Sequence, residues 1–189
     1  MNTTSESLLL RLRKADDNHA WSRFVQLYTP LLFYWARNTG LQSQDAADLV
    51  QDVLTIVFRK LPEFRYDPDK SFRGWLRTVT LNRFRELARK RTLGAIDATN
   101  SILAQVAGKP GQLESTWDLN YQQSLVARAM ELLQPEFQPA TWKALREYVM
   151  SGRPAAEVAK ENGLSVWTVY SAKSRLMVRL REELKGLLD

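Results

Sequence analysis

The chain of 189 residues has no cysteine and a single histidine, His19. Without cysteine there is no disulfide framework, no thiol nucleophile and no thiolate metal site. No Ser/His/Asp or Cys/His pairing stands out around the lone histidine, and there is no HExxH. No glycine-rich loop follows a strand, so a nucleotide-phosphate cradle has no support. No apolar run approaches the ~20 residues that a membrane span needs. The opening stretch, MNTTSESLLLRLRKADD, holds only a three-leucine run and does not resemble a signal peptide. Internal repeats and low-complexity tracts are missing, and strand-like alternation persists nowhere, so an all-α fold is expected. These absences point to a non-enzymatic protein of the reducing cytoplasm, with no metal, no cofactor and no membrane insertion.

Cations are present in excess. The net charge is +6 and the pI about 9.7, which favours anionic partners. The excess is uneven. Residues 1–91 carry 16 basic and 10 acidic side chains, 92–118 carry one and three, and 119–189 carry ten and eight. The length allows one ordinary domain or two small ones. Residues 92–118 lose helical periodicity and contain Gly94, Gly108, Pro110 and Gly111. They read as a linker, with Ile102, Leu103 and Val106 as a helical turn or docking patch within it. The expected organisation is a helical domain over 1–91, the linker, and a second helical domain over 119–189.

The most informative stretch is Ser71–Arg91, SFRGWLRTVTLNRFRELARKR. At helical spacing Phe72, Trp75, Leu76, Val79, Thr80, Phe84 and Leu87 share one arc. Arg77, Thr78, Leu81, Asn82, Arg85 and Arg89 share the other. Seven basic residues stand against one acid, Glu86. A row of cations opposite a buried face suits a phosphate backbone. A solvated face with a basic end, complementing the helix C-terminus, is the alternative. Arg83 falls in the apolar arc and must snorkel or pair.

Before it, Ser5–Lys14 reads as a short helix, and Ala20–Asn38 as an aromatic-rich one. The spacing in the latter fits core packing, with a base-stacking platform as the alternative. Gly40 stops that helix and Ser43 is placed to cap the next. Gln44–Leu61 puts Ala46, Val50, Val53, Leu54, Val57 and Leu61 on one face. Asp48, Gln51, Asp52, Thr55 and Arg59 take the other. Asp45, Asp48 and Asp52 can complement the macrodipole, hold a metal or meet a protein; no histidine or further acid supports the metal. The following loop, LPEFRYDPDKS, offers Phe64 and Tyr66 as contact residues.

Near the end, Ala159, Gly163 and Val169 have the spacing of a helix-turn-helix. Ala159 is small where the helices cross, Gly163 supplies a positive φ at the turn, and Val169 packs back. Ser165 caps the second helix. Its exposed residues would be Val166, Trp167, Thr168, Tyr170, Ser171, Lys173, Ser174 and Arg175, with the N-terminal half entering a major groove. A tight helical hairpin without a DNA role is the plainer reading.

In their order and spacing these stretches resemble sigma factors of the sigma-70 family, in the small extracytoplasmic-function (ECF) group. DAADLVQDVLTIVFRKL (45–61) is similar to region 2.2, FRGWLRTVTLNRFRELARKR (72–91) to regions 2.3 and 2.4, and PAAEVAKENGLSVWTVYSAKSRLMVRL (154–180) to region 4.2. The resemblance implies a two-domain helical initiation factor that binds RNA polymerase core, directs it to promoters and helps melt the −10 region. Asp48, Leu49, Gln51, Asp52 and Val53 match the motif that docks on the β′ clamp helices, which favours the protein-binding option. Phe64 and Asn82 match a pocket for a flipped −10 base, and Trp75 matches an aromatic of the strand-separation region. Arg77, Arg85 and Arg89 would follow the backbone there. The helix from Ser165 matches the −35 reader, and the linker matches the segment that threads toward the active-site channel. Implied partners are polymerase core through its β′ clamp helices and β flap, promoter DNA, and an anti-sigma factor as a further candidate.

The chain departs from the family pattern in three places. The loop at Tyr66–Lys70 is a little longer than the shortest versions, Trp167 and Tyr170 replace smaller or basic residues, and the linker is long and slightly apolar. A stand-alone helix-turn-helix regulator would not explain the Asp48–Asp52 face. A helical adaptor that binds only protein would not explain the basic stripe.

Overall fold

The computed structural model describes residues 8–14, 16–63, 71–94 and 110–188. Among them every regular element is helical, as expected. The helices are α1 (Leu8–Leu12), α2 (Asn18–Asn38), α3 (Ser43–Lys60), α4 (Phe72–Gly94), α5 (Pro110–Leu133), α6 (Pro139–Met150), α7 (Ala155–Glu161) and α8 (Val166–Leu184). The described residues divide into two compact units. One runs to Leu125 and regains the chain from Gly186; the other is Val126–Lys185. Residues 110–118, expected within the linker, are the start of α5. Ile102, Leu103, Val106, Phe64 and Tyr66 lie outside the described residues.

In the first unit, α2 stops where sequence places the stop. Gly40 takes φ 92°, the Gly40 N–H donates to the Arg37 carbonyl and the Leu41 N–H to that of Ala36. Two carbonyls at the helix end are thereby satisfied, and Leu41 is turned into the core. The expected Ser43 cap is not formed. Gln42 holds the N-cap position with no side-chain bond, and Ser43 is the first helical residue.

Trp21, Phe24, Tyr28 and Trp35 of α2 are core, as their spacing predicts, whereas Phe33 is half-buried and Tyr34 exposed. The Phe24 and Tyr28 rings stack at 4.4 Å, Phe72 meets both edge-on, and Trp35 meets Phe84 edge-on at 5.7 Å. Such pairs add to the stabilisation from buried area. α5 contributes Trp117, 5.7 Å from Trp35, and Tyr121. The Tyr121 hydroxyl donates to the Leu187 carbonyl at 2.8 Å, so its contact of 2.9 Å with the Tyr28 hydroxyl has Tyr28 as donor. Burial pushes both tyrosine hydroxyls above their ordinary pKa. The extreme C-terminus is thus tied to the core of the first unit.

In the second unit, α6, α7 and α8 pack around Ala144, Ala155, Val158, Ala159 and Val169. Arg153 ties the end of α6 to α7 through Glu147 at 2.9 Å and through Glu161.

Candidate docking and nucleic-acid interfaces

The first candidate surface is α3. Its apolar positions bury Ala46, Leu49, Val50, Val53 and Val57. Leu49 and Val53, placed by resemblance in the docking motif, are 2% and 0% exposed. They are core residues that hold the helix. Asp48 and Gln51 are exposed and Asp52 is half-buried. Beside them lies an apolar groove of about 470 Å³ between α2 and α3. Trp21, Val25 and Phe33 line one wall, and Val50, Leu54 and Phe58 the other, with Gln51 at its edge. Phe58 is 53% exposed and Val25 40%. The groove is invisible to a single-helix projection, because each wall contributes only part of it.

Asp52 is not a free acid. Arg83 of α4 reaches it with Nε at 2.8 Å and Nη2 at 2.6 Å, and reaches Glu86 with Nη1 at 2.8 Å. The Asp52 carboxylate first, and Glu86 second, hold the guanidinium above its ordinary pKa. Arg83 therefore pairs, as its position in the apolar arc requires.

The second surface is α4, capped by the Ser71 hydroxyl, which accepts from the Gly74 N–H at 3.1 Å. Its buried positions are Phe72, Leu76, Thr80, Leu81, Phe84 and Ala88. Leu81 thus belongs to the core and not to the cationic arc. Trp75, Val79 and Leu87, expected in the core arc, are half-buried at its margin. The buried stripe is wider toward the flank of Arg73, whose guanidinium lies 5.2 Å over the Tyr121 ring. Thr78, Asn82 and Arg89 are exposed and Arg85 is half-buried, forming one ridge. Arg77 is half-buried on the Arg73 side, away from that ridge. Trp75 leans on Phe72 at 5.6 Å. Phe64 lies outside the described residues, so its meeting with Asn82 is not visible.

The third surface is the helix-turn-helix. Gly163 takes φ 66°. The Gly163 N–H donates to the Lys160 carbonyl and the Leu164 N–H to that of Ala159, the pairing that ends a helix on a left-handed glycine. Ala159 and Val169 are each 1% exposed, as close helix crossing demands. Ser165 caps α8, accepting from the Thr168 N–H at 3.0 Å. Val166, Trp167, Tyr170, Lys173, Ser174 and Arg175 are exposed, and Thr168 and Ser171 half-buried. All the expected reading residues therefore lie on the accessible side of the helix.

Among the described residues, no cluster of three or more His, Asp or Glu side chains could hold a metal ion. No helix among them is long and apolar enough to cross a membrane.

An exposed ridge with cations on α4 and a capped helix-turn-helix thus lie on separate helical units. The Sigma-70 region 2 family matches residues 24–93, from α2 through α4. The chain is 35% identical over 190 residues to the RNA polymerase sigma factor NccH of Alcaligenes xylosoxydans xylosoxydans, covering 97% of this chain and 95% of that protein. It is 34% identical to the RNA polymerase sigma factor CnrH of Cupriavidus metallidurans, covering 100% and 97%. A solved structure of CnrH in complex with the cytosolic domain of CnrY is similar with a TM-score of 0.39 and 24% identity, covering 92% of each chain. The chain belongs to the RNA polymerase sigma factors of the sigma-70 family, in the ECF group. It binds RNA polymerase and directs promoter-specific initiation, and the stand-alone regulator is not favoured.

Proposed function

We propose that the three surfaces divide the work of initiation. α3 docks on polymerase core, through the β′ clamp helices. Its apolar groove takes a ridge of the partner helix, while Asp48, Gln51 and Asp52 at the rim meet polar or basic groups. α4 captures the melted −10 strand, with Arg85 and Arg89 along the backbone and Asn82 on a base edge. Trp75 stands at the strand-separation edge. α8 reads the −35 duplex in the major groove, and the second unit also meets the β flap. The linker passes toward the active-site channel. The protein acts in the cytoplasm by binding alone, without catalysis, and an anti-sigma factor would compete for the same docking face.

The observation that carries this reading is the ridge Thr78, Asn82, Arg85 and Arg89 beside the Asp48–Asp52 rim. Asp52 is bonded directly to α4 through Arg83, so the two surfaces belong to one packed body. A protein that opens DNA while held on polymerase needs both on one support. Flipping a base costs a few kcal/mol, so a base freed by melting is captured at less cost than one in duplex.

The test is a titration of the holoenzyme with single-stranded −10 oligonucleotides varied one base at a time. One position should show a penalty that Asn82→Ala removes, while overall affinity falls with salt as phosphate contacts require. Equal binding of every variant strand would reduce α4 to a non-specific cationic surface.

A further inference from the structure

The first two turns of α8 present Val166, Trp167 and Tyr170 to solvent, 38%, 76% and 51% exposed. Bidentate reading of guanine uses Arg or Lys, and that of adenine uses Asn or Gln. The run VWTVYSA from Val166 to Ala172 contains none of these. Its two aliphatic hydroxyls are engaged locally, which leaves the phenol of Tyr170 as the third. Thr168 Oγ1 bonds Ser165 Oγ at 2.8 Å, and Ser171 Oγ donates to the Thr168 carbonyl at 3.1 Å. The first cations, Lys173 and Arg175, lie back over the rings of Tyr148 and Phe137, 5.1 and 4.6 Å from their centroids. The Tyr170 ring is held edge-on to Tyr148 at 5.9 Å, which fixes its direction.

The leading end of the helix is therefore apolar and aromatic. The major groove offers one apolar feature that distinguishes bases, the C5-methyl group of thymine. Resting on the reading that α8 enters the −35 duplex, we infer that it selects its element by thymine methyl groups. Trp167 and Tyr170 cover them, with Val166 at the edge. Lys173 and Arg175 supply attraction to the backbone and no base identity. Trp167 gains most, because a large ring exposed in the free protein becomes buried against the methyl.

Holoenzyme reconstituted from the full chain and polymerase core is used to select duplex promoters randomised over the −35 region. Thymines are enriched there, on either strand. Each enriched thymine is then replaced by deoxyuridine, which removes the methyl and nothing else. Binding falls about fourfold per methyl, from roughly 0.8 kcal/mol for a group of that size. The penalty vanishes in Trp167→Ala or Tyr170→Ala; Trp167 is exposed and its variant should melt as the parent does, whereas Tyr170→Ala also gives up the contact with Tyr148. Equal binding of thymine and deoxyuridine promoters, or enrichment confined to G·C pairs, overturns the inference and leaves α8 a reader by other means. A selection with no −35 preference overturns the reading on which it rests.

Discussion

Reversing Asp52 to Arg tests whether that carboxylate serves polymerase, the fold or both. In isolation the change should be mild, because exposed substitutions stay within about 0.5 kcal/mol. Here the Asp52 side chain is 44% exposed and bonded to Arg83, itself 26% exposed. Losing a pair of that exposure costs about 0.2–1 kcal/mol. The new guanidinium then faces Arg83. Two like charges at 4 Å repel by about 4 kcal/mol at an effective dielectric of 20. Most of that is relieved, since both side chains can swing outward and Glu86 still holds Arg83 at 2.8 Å. A net cost of about 1–2 kcal/mol remains, which lowers the melting temperature of the first unit by about 4–10 °C. Asp48→Arg, at an exposed position with only a Gln44 contact at 3.4 Å, should melt as the parent does. Both variants should compete poorly with labelled parent protein for polymerase core. The exchange Asp52→Arg with Arg83→Glu separates the roles. It should recover most of the stability, because the pair is rebuilt in reverse, yet leave core binding weak. Full recovery of core binding by the exchange would refute a docking role for Asp52. Unchanged melting in Asp52→Arg would refute the energetic role assigned to the pair.

The tyrosine pair should respond asymmetrically. Tyr121→Phe strands both the buried Tyr28 hydroxyl and the Leu187 carbonyl, costing about 1–3 kcal/mol, whereas Tyr28→Phe leaves the Tyr121 bond to Leu187 intact and should cost less in a denaturant titration. Both hydroxyls have raised pKa values in the fold, so their contribution is fully present below the ordinary tyrosine value of about 10 and is lost as pH rises above it. The tyrosinate absorbance due to Tyr28 and Tyr121, taken as the difference between the parent and the two Phe variants, should rise together with the loss of helical signal at alkaline pH. Gly163→Ala meets no atom within 4 Å of the added Cβ, so only the left-handed backbone resists it. Thermal melting should show a loss of about 1–2 kcal/mol in the second unit. The −35 preference profile of whatever remains folded should be unaltered.

Much of this architecture is legible in spacing alone. The helix-turn-helix is legible because its three key positions answer local demands: a small residue at the crossing, a left-handed turn and an apolar return contact. The Arg83 pairing is legible as a problem, a cation in an apolar arc, although the partner 31 residues away is not. The misplaced residues have a common cause. Leu81 projects onto the cationic arc, and residues 110–118 read as linker, because a one-helix projection assumes one buried face. The first turns of α5, PGQLES, contain proline, glycine and small polar residues, which read as linker. Trp117 and Tyr121 stand four apart and are fully buried, which is the periodic signal that extends the helix back into that stretch. Leu49 and Val53 show another limit. A motif matched by resemblance mixes the residues that touch a partner with those that hold the helix, and burial tells them apart.

The net charge of +6 says less about DNA than it first suggests. Arg83 is held by two carboxylates, and Arg153 and Arg179 by acids of their own unit. These cations still add to the field that draws a polyanion, but their positions are set by the fold. A cation committed to an internal partner must break that contact before it can track a phosphate. In the proposed reading, contact with the backbone falls to the smaller set on the exposed ridge of α4, with Lys173 and Arg175 on α8. None of them can distinguish one promoter from another, because every phosphate is alike. On the reading proposed above, distinction falls to side chains without charge: Asn82 on the melted strand, and Trp167 and Tyr170 on the duplex. The basic composition thus accounts for attraction to any DNA. Selection of one promoter, on the same reading, rests on a few neutral residues, placed at the surface by a cap at Ser165 and a ridge on α4.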